Sequence, residues 1–243
     1  MVSKNQIKVI ASLQQKKYRA LHQMFVAEGQ KVIQELIDAD FELVQLLVTE
    51  AIFESVVSDK KTLLTAAELQ KISALNAANN CLAVFKIPEP KPIIEKGLML
   101  ALDDVRDPGN LGTILRICDW YGITQLICSE QTVDLYNPKV VQATMGSIAR
   151  MHVHYLDLED FLNQTQLPVY GTFMDGKNIY KATLPEEAII VLGNEANGIS
   201  QSIRKITKNK IAIPRFGSQT ESLNVASAAA IVVSEFRRGF SGK

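Results

Sequence analysis

The chain has 243 residues, 47% of them hydrophobic and 21% charged. This composition predicts a folded core in one large or two modest domains, and it excludes collagen-like and low-complexity classes. The 26 basic and 26 acidic residues balance each other, so the molecule is no general polycation, although a local basic patch can still bind nucleic acid.

Three further observations bear on where the protein works. The three cysteines form no CxxC pair, which favours neither a disulfide framework nor a zinc site. No apolar run reaches the roughly 18 residues that a membrane helix needs. The first residues lack the apolar stretch of a secretory signal. We therefore expect a reduced, soluble, cytoplasmic protein with no membrane partner.

The N-terminal stretch is basic. Its first 31 residues hold a single acidic residue, Glu28, and six basic ones. The basic residues are Lys4, Lys8, Lys16, Lys17, Arg19 and Lys31. This distribution is typical of a solvated helix face, and the alternative interpretation is a patch that contacts phosphate.

The remainder of the N-terminal part predicts a small α/β domain. Residues 30–39 have a helical pattern, and residues 43–49 and 81–87 are apolar runs of strand length. Thr65 and Glu68 have the spacing of a capping box that opens another helix. No carboxylate pair, nucleophile–base pair or metal-ligand spacing stands out, so this part is interpreted as a binding module.

A proline-rich stretch separates this part from the next. Pro88, Pro90 and Pro92 alternate with other residues, and proline neither continues a helix nor sits in a central strand. The stretch therefore predicts an extended linker. We place the domain boundary there, with domains at residues 1–92 and 97–243.

The second part alternates between strand-like and helical patterns. The predicted strands are Leu98–Val105, Thr124–Ser129, His152–Leu156, Val169–Met174, Ala188–Leu192 and Lys210–Ile213. The predicted helices are Leu111–Tyr121, Pro138–Ser147, Leu158–Gln164, Ser200–Thr207 and Ser222–Arg238. Such alternation indicates an α/β fold with a parallel sheet covered on both faces.

Three loops of this part follow predicted strands, where open α/β sheets bind ligands. In the first loop Asn110 is placed to cap the next helix, and Arg116 lies about two turns into it. The second loop, 193–198, holds two glycines and two asparagines, which favours positive φ angles and close approach of the backbone to a ligand. The third, 214–224, leads into a helix of small residues at 225–233.

The three loops carry motifs that appear in a fixed order. They are Asn110-x-Gly112-x-x-x-Arg116, then Leu192-Gly193-Asn194-Glu195-x-x-Gly198, then Ile213-Pro214 followed by Ser222-Leu223-Asn224. Together they resemble the three motifs of the SpoU/TrmH family of RNA 2'-O-ribose methyltransferases, within the SPOUT superfamily, over roughly residues 97–240. Residues 16–19 and 25–29 resemble the ribosomal-protein-like substrate-binding domain that precedes the catalytic domain in many members.

The resemblance implies a fold, a reaction and partners. The fold is a parallel-sheet methyltransferase domain with a C-terminal trefoil knot, preceded by a small α/β RNA-binding domain. The reaction is transfer of a methyl group from S-adenosyl-L-methionine to a ribose 2'-hydroxyl. Transfer RNA and ribosomal RNA substrates both occur in the family, and the residues favour neither. The family is typically homodimeric, with an active site shared between subunits.

The resemblance also implies catalytic roles. Arg116 would stabilise the developing alkoxide as a cation and hold a neighbouring phosphate, since an arginine of ordinary pKa cannot accept a proton. A deprotonated arginine is the alternative. Asn110 would orient Arg116 or the ribose, and Glu195 would pair with Arg116 or another cation. Ser222 and Asn224 would complete the polar wall.

Four residues would hold the cofactor: Thr172, Gly193, Ile213 and Leu223. A glycine at position 193 would allow adenosine to lie against the main chain. Ile213 and Leu223 would offer apolar contact and backbone hydrogen bonds.

The sequence departs from the family pattern at three points. The stretch from Gly217 to Ser222 is one residue longer than the commonest spacing, and Arg215 stands where methionine is frequent. Thr144 stands where many members have serine. The first two departures concern the course of the third loop, and the Ser222-Leu223-Asn224 motif itself is intact.

Two alternative functions come from other classes. One is an RNA-binding relative that has lost catalysis, which the intact Arg116, Glu195 and Asn224 disfavour. The other is a Rossmann-type NAD-dependent oxidoreductase. The sequence between Gly109 and Gly112 lacks the glycine fingerprint of such enzymes.

Several residues outside the motifs receive structural interpretations. His152 and His154 share one face of a strand but have no third ligand nearby, so we expect no metal site. Asp103 and Asp104 are expected at a solvated loop edge. Trp120, like the small-residue helix, is expected in the core or in a dimer interface.

Overall fold

The computed structural model describes residues 3–217 and 222–240. The chain forms two compact units, Met1–Glu89 with Asp134–Arg150, and Pro90–Val133 with Met151–Lys243. The predicted linker contains neither helix nor strand, since one strand ends at Lys86 and the next begins at Leu98. Residues 134–150, which the predicted domain limits place in the second domain, pack with the first unit.

Helices and strands are numbered here along the chain. The strands are β1 (Met24–Glu28), β2 (Leu43–Val48), β3 (Lys61–Leu63), β4 (Cys81–Lys86), β5 (Leu98–Asp103), β6 (Gln125–Ser129), β7 (His152–Leu156), β8 (Val169–Asn178), β9 (Ala188–Gly193) and β10 (Asn209–Ala212). The helices are α1 (Lys4–Ser12), α2 (Lys16–His22), α3 (Gln30–Asp38), α4 (Ala66–Gln70), α5 (Pro108–Trp120), α6 (Pro138–Ala143), α7 (Leu158–Gln164), α8 (Gln201–Ile206) and α9 (Val225–Arg237).

The first unit is built on a four-stranded sheet in the order β1-β4-β2-β3. Strand β4 is antiparallel to both β1 and β2, whereas β2 and β3 run parallel. The predicted capping box is confirmed, because the Thr65 side chain accepts from the Glu68 amide and Glu68 reaches back to the Thr65 amide. A second capping box, at Ser3 and Gln6, opens α1. This unit thus combines short helices with a four-stranded sheet.

One face of this sheet packs against α1 and α4. Buried residues of both helices and three strands form a single cluster: Ile10, Leu13, Val26, Leu47, Leu64, Leu69, Ile72, Leu82 and Val84. The burial of this apolar surface is the main force that holds short helices such as α4 in place, since isolated helices of this length are unstable in water.

Residues 134–150 belong to the first unit because they complete its aromatic and ionic packing. The ring of Tyr136 lies 4.7 Å from the ring of Phe25 on β1, centroid to centroid. The guanidinium of Arg19 is only 3% exposed and forms an ion pair with Asp134. Arg19 also donates to the carbonyl oxygens of Leu13 and Gln14, at 2.8 and 2.9 Å.

Arg19 is therefore a structural residue. Its buried guanidinium makes four hydrogen bonds to groups of its own unit, so it is not available to the phosphate-contacting patch of the alternative interpretation. The exposed cations of the same window are lysines: Lys4, Lys8, Lys16, Lys17 and Lys31.

The second unit is built on a six-stranded sheet in the order β10-β8-β9-β5-β6-β7. Every described strand pair in this sheet is parallel, as the alternating sequence pattern predicts. All six residues of β5 and the first five of β9 are buried, so both faces of the central strands are covered. Helices α7 and α8 cover one face through Leu158, Leu162 and Ile203, and α9 contacts α5 and β9.

The order of the strands creates a switch point beside β5. The chain proceeds from β5 to β6 and β7 on one side, while β9, β8 and β10 lie on the other. Loops that leave β5 and β9 therefore diverge at their carboxyl ends and leave a crevice there, which is where open parallel sheets bind ligands.

Most elements predicted after the linker agree with the structure to within a few residues. The exceptions have local causes. The predicted helix 138–147 ends at Ala143, because Met145 and Gly146 both adopt positive φ angles. Strand β8 continues to Asn178, since residues 177–178 pair with β10 after a register shift.

The small-residue helix and Trp120 have different environments. Helix α9 buries an apolar face within its own unit through Val225, Ala226, Ala229, Val232, Val233 and Phe236. Trp120, by contrast, is 85% exposed, which excludes the core and leaves the dimer interface as a prediction.

The described helices are all too short or too polar for a membrane. No helix within residues 3–217 and 222–240 is long and apolar enough to cross one.

The buried ion pair of Arg19 leads to a stability prediction. In Arg19→Ala, Asp134 and two carbonyl groups lose their hydrogen-bond donors. We expect unfolding to require about 3 kcal/mol less free energy, the lower end for a broken buried pair, because Asp134 retains 17% exposure. Urea denaturation followed by circular dichroism measures this change. Lys16→Ala, at an exposed position of the same helix, is the control and should shift stability by no more than about 0.5 kcal/mol. Equal effects of the two substitutions would contradict the structural role of Arg19.

Candidate functional site

The site lies at the carboxyl ends of β5 and β9. Asp103, the last residue of β5, pairs with Gly193, the last residue of β9. Asp103 is buried, and its carboxylate accepts a 2.7 Å hydrogen bond from the Ser200 amide. The expectation of a solvated edge is therefore wrong for Asp103, because this carboxylate holds the end of the second loop against β5.

The first loop leads into α5, whose cap differs from the prediction. Asp107, not Asn110, is the capping residue, and its side chain accepts from the Asn110 amide at 2.8 Å. Pro108 occupies the first turn, where proline is favoured because its missing N–H has no partner in the helix. This cap leaves the side chain of Asn110 free for other contacts.

The side chain of Asn110 joins all three loops. Its amide nitrogen donates to Glu195 Oε1 at 2.5 Å, and its oxygen accepts from the amide nitrogen of Asn224 at 2.8 Å. Asn224 is the cap of α9, and its oxygen accepts from the backbone amides of Ala226 and Ser227 at 3.0 and 3.2 Å. Because the cap holds the Asn224 oxygen, the Asn224 nitrogen faces the Asn110 oxygen, and the Asn110 nitrogen is left to donate to Glu195.

The second loop closes upon itself. Asn194 and Gly198 exchange two backbone hydrogen bonds, at 3.0 and 2.8 Å. The Asn194 oxygen accepts from the Ala196 and Asn197 amides, and its nitrogen donates to the Asp104 carbonyl oxygen at 2.7 Å. These contacts hold Glu195 at the tip of a tight turn beside the first loop.

Gly193 is required by this turn. A Cβ atom at position 193 would lie 2.2 Å from the backbone of Gly198 and Ile199. The loop's own main chain therefore occupies the space on the Cβ side of this glycine. The prediction that residue 193 contacts a cofactor stays a prediction.

An open cleft of about 650 Å³ lies between these loops. It is lined by Arg106, Asp107, Asn110, Asn194, Glu195, Ala196, Asn197 and Asn224. Three of the five predicted catalytic residues are thus brought together. Arg106, Asp107, Asn194 and Asn197 were not selected from the sequence, although they belong to the same loops. The sequence did offer one indication of their role, since all four are polar and lie within or next to the motifs.

Arg116 lies elsewhere on α5. It is six residues beyond Asn110, which corresponds to about 9 Å along the helix and about 120° around it. Its side chain is exposed and does not line the cleft. Within residues 3–217 and 222–240 it has no hydrogen bond or ion pair, and the expected pairing with Glu195 is absent. Its catalytic role stays a prediction.

The remaining predicted site residues border the second and third loops. Thr172 donates its hydroxyl to the Val191 carbonyl oxygen at 3.1 Å and is partly buried. Ile213 is partly buried, Ser222 is exposed, and Leu223 is 49% exposed. The extra residue predicted in the third loop falls in the stretch 218–221, which lies outside the described residues.

Other reactive side chains are kept away from chemistry by burial. Burial raises the pKa of the Cys81 thiol to about 11, and it raises the pKa values of Cys118 and Cys128 further. Burial and neighbouring positive charge lower the pKa values of His152 and His154 below the ordinary range. His154 shares a 3.0 Å hydrogen bond with Gln125. In the part of the chain that the structure describes, no group of three ligating side chains could hold a metal ion.

The fold and the cleft define an α/β protein with a polar site built from three loops at the edge of a parallel sheet. Residues 97–234 match the SpoU rRNA Methylase family, and residues 4–83 match an MRM3-like substrate binding domain. The first match covers more than half of the chain.

Individual proteins with known names agree with the family match. The chain is 29% identical to the 23S rRNA (guanosine(2553)-2'-O)-methyltransferase RlmP of Bacillus subtilis, over 97% of each chain. It is 33% identical to the 23S rRNA (guanosine-2'-O-)-methyltransferase RlmB of Neisseria meningitidis, over 59% of each chain.

Solved structures resemble the chain over almost its whole length. A TrmH-family protein from Porphyromonas gingivalis is 39% identical, with a TM-score of 0.91 over 99% of this chain and 100% of the other. An AdoMet-bound rRNA methyltransferase from Sinorhizobium meliloti is 25% identical, with a TM-score of 0.88 over 100% of this chain and 98% of the other. The chain belongs to the SpoU rRNA methylase family, as its three motifs predict.

The close approach at Gly193 leads to a second stability prediction. In Gly193→Ala, the new methyl group would meet backbone atoms that cannot rotate away, so the second loop must shift. We expect a loss of about 1–3 kcal/mol, typical of an overpacked site. Urea denaturation measures it, with Gly239→Ala as the control, because a Cβ at position 239 would meet no atom within 4 Å. If both variants were as stable as the parent chain, this account of Gly193 would be wrong.

Proposed function

We propose that this protein transfers a methyl group from S-adenosyl-L-methionine to a ribose 2'-hydroxyl of RNA, with ribosomal RNA as the favoured substrate. The observation that carries the proposal is the convergence of the three family motifs through Asn110, which contacts Glu195 at 2.5 Å and Asn224 at 2.8 Å. The RlmP and RlmB relatives, whose names describe this reaction on 23S rRNA, support the choice of substrate.

Two of the residues predicted to hold the cofactor, Ile213 and Leu223, offer contacts that suit a nucleoside. Among residues 3–217 and 222–240, the backbone amides of Ile213 and Leu223 form no hydrogen bond, which makes them candidate donors to a nucleoside. Their side chains are partly exposed, which provides apolar surface for an adenine ring. When bound, S-adenosylmethionine supplies a methyl group activated by the positive sulfur to which it is attached.

The protein's own task is then to position the ribose hydroxyl and to stabilise its oxygen as the proton leaves. The polar wall formed by Asn110, Glu195 and Asn224, with Ser222 beside it in sequence, offers groups that position a ribose. Arg116 supplies a cation for the developing negative charge. Water or a phosphate of the substrate takes the proton, since the arginine cannot.

The first unit contributes RNA binding in this proposal. Its sequence matches a substrate binding domain at residues 4–83. Its exposed lysines on α1 (Lys4 and Lys8) and on α2 (Lys16 and Lys17) can contact phosphates, in contrast to the buried Arg19. Such contacts weaken as salt concentration rises.

We also propose the family's trefoil knot and its cytoplasmic location for this chain. The path of the backbone supports the knot: β10 is the edge strand beside β8, and the chain returns from there to α9, which packs against α5 and β9. The free cysteines Cys81, Cys118 and Cys128 fit a reducing compartment.

The catalytic role of Arg116 is tested by substitution. Arg116→Ala should fold and bind S-adenosylmethionine as the parent chain does, because the side chain has no partner among the described residues. Methyl transfer should fall about 100- to 1,000-fold, as expected when one charge-stabilising donor is removed. Arg116→Lys should rescue little, since lysine lacks the planar fork. The assay measures tritiated methyl transfer to an unmodified 23S rRNA transcript, and calorimetry measures cofactor affinity. Near-normal turnover in either variant would shift the catalytic role to Glu195.

A homodimer is the further proposal for this function. Trp120 at the end of α5 is 85% exposed and Phe216 in the third loop 95%, and large apolar side chains of this kind are commonly covered by a partner. Light scattering at micromolar concentration should give twice the monomer mass. Trp120→Ser should weaken the dimer, with Lys139→Ser, at an exposed position, as the control. A monomer in the parent chain would contradict the proposal.

A further inference from the structure

The charges that line the cleft are unfavourable for RNA. Two of the lining residues are carboxylates, Asp107 and Glu195, and Arg106 is the one cation among them in the described part of the chain. An RNA strand that places a ribose here brings a phosphate on each side of it, and carboxylates repel phosphates. A cation that offsets this repulsion is therefore required close to the site.

Arg106 has the geometry to supply that cation. Its Nε donates to Asp104 Oδ1 at 2.7 Å, while 70% of its side chain is exposed. No other partner of Arg106 exists within residues 3–217 and 222–240. The two terminal nitrogens of the guanidinium, with four N–H groups, are therefore free to donate to a ligand.

Asp104 holds this arginine in place. Its backbone has a φ of 58°, a conformation that non-glycine residues rarely adopt. Its amide donates to Ser129 Oγ at 2.9 Å, and its carbonyl oxygen accepts from Asn194 at 2.7 Å. The backbone of Asp104 is thus held by the end of β6 and by the second loop. Its carboxylate therefore orients the Arg106 guanidinium from a fixed position.

We propose that Arg106 binds the RNA phosphate next to the reacting ribose, and that Asp104 is its positioning residue. The inference rests on the proposed function and extends it to substrate recognition. A planar guanidinium with two free nitrogens binds two phosphate oxygens at once. An exposed arginine–aspartate pair contributes little to stability. Substitutions of these two residues should therefore change the binding of RNA and not the stability of the fold.

The test compares four variants of the full chain: Arg106→Ala, Arg106→Lys, Asp104→Asn and Arg238→Ala. Arg238 is the matched control, because it is 69% exposed and paired with Glu235. It lies beyond the last turn of α9, about 20 Å along the helix from the Asn224 cap. Asparagine is chosen at position 104 because it tolerates a positive φ.

Two measurements are made on each variant. One is steady-state methyl transfer to an unmodified 23S rRNA transcript, and the other is equilibrium binding of the same transcript over a range of salt concentrations. For Arg106→Ala we expect KM for RNA to rise about 10- to 100-fold, the usual effect of losing hydrogen bonds to a charged group. We expect kcat and the affinity for S-adenosylhomocysteine to change little. The salt dependence of binding should decrease by about one released counterion.

The conservative variants separate charge from geometry. Arg106→Lys should keep the salt dependence but recover only part of the KM, because lysine cannot form the two-pronged contact. Asp104→Asn should raise KM less than Arg106→Ala and leave the salt dependence unchanged, since the arginine is still present but less well oriented.

The outcomes distinguish this inference from the proposed function. If Arg106→Ala binds the transcript with the affinity and salt dependence of the parent chain or of Arg238→Ala, the inference is overturned. A loss of stability or of S-adenosylhomocysteine binding in Arg106→Ala would also overturn it, because the residue would then be structural. Absence of methyl transfer in the parent chain would refute the proposed function, while the binding measurements would still decide the role of Arg106.

Discussion

The site depends on a single side-chain amide. Asn110 can accept from Asn224 only because Asp107 takes over the cap of α5 and leaves the Asn110 side chain free. The oxygen of Asn224 accepts from the amides that begin α9, so the side-chain nitrogen of Asn224 faces Asn110. Each hydrogen bond therefore directs the next, and the carboxylate of Glu195 is the final acceptor. Two helix starts and one strand end are joined in this way, so a displacement in any of the three loops disturbs the other two.

The second loop requires a glycine at position 193 because of its own backbone. Gly193 is flanked on its Cβ side by the backbone of Gly198 and Ile199, and Asn194 fills the interior of the turn with its own side chain. The loop is thereby held by hydrogen bonds and packing within itself. Preformed contacts of this kind lower the ordering cost of binding, and substitutions at position 193 act on the loop first.

Three arginines of the chain differ in burial and therefore in what they can contact. Arg19 is buried and neutralised by Asp134 within the first unit, where it holds residues 134–150 in place. Arg106 is exposed and retains free donors, and Arg116 is exposed with no partner in the described part of the chain. Burial thus determines which of these three side chains stabilises the fold and which two remain available to a ligand. Their positions in the sequence do not reveal this difference.

The sequence by itself determined the α/β class, the parallel second sheet, the capping box at Thr65 and the family, because each of these follows from local periodicity or from short motifs. Its motifs also predicted that Asn110, Glu195 and Asn224 belong to one site. Only the tertiary structure decided that Asp107 caps α5, that Asp103 is buried against the Ser200 amide, and that residues 134–150 pack with the first unit. These features depend on contacts between residues that are distant in the chain or on competition between neighbouring polar groups for the same amide. Local sequence patterns do not predict such contacts, because burial and hydrogen-bond partners depend on where the whole backbone places each side chain.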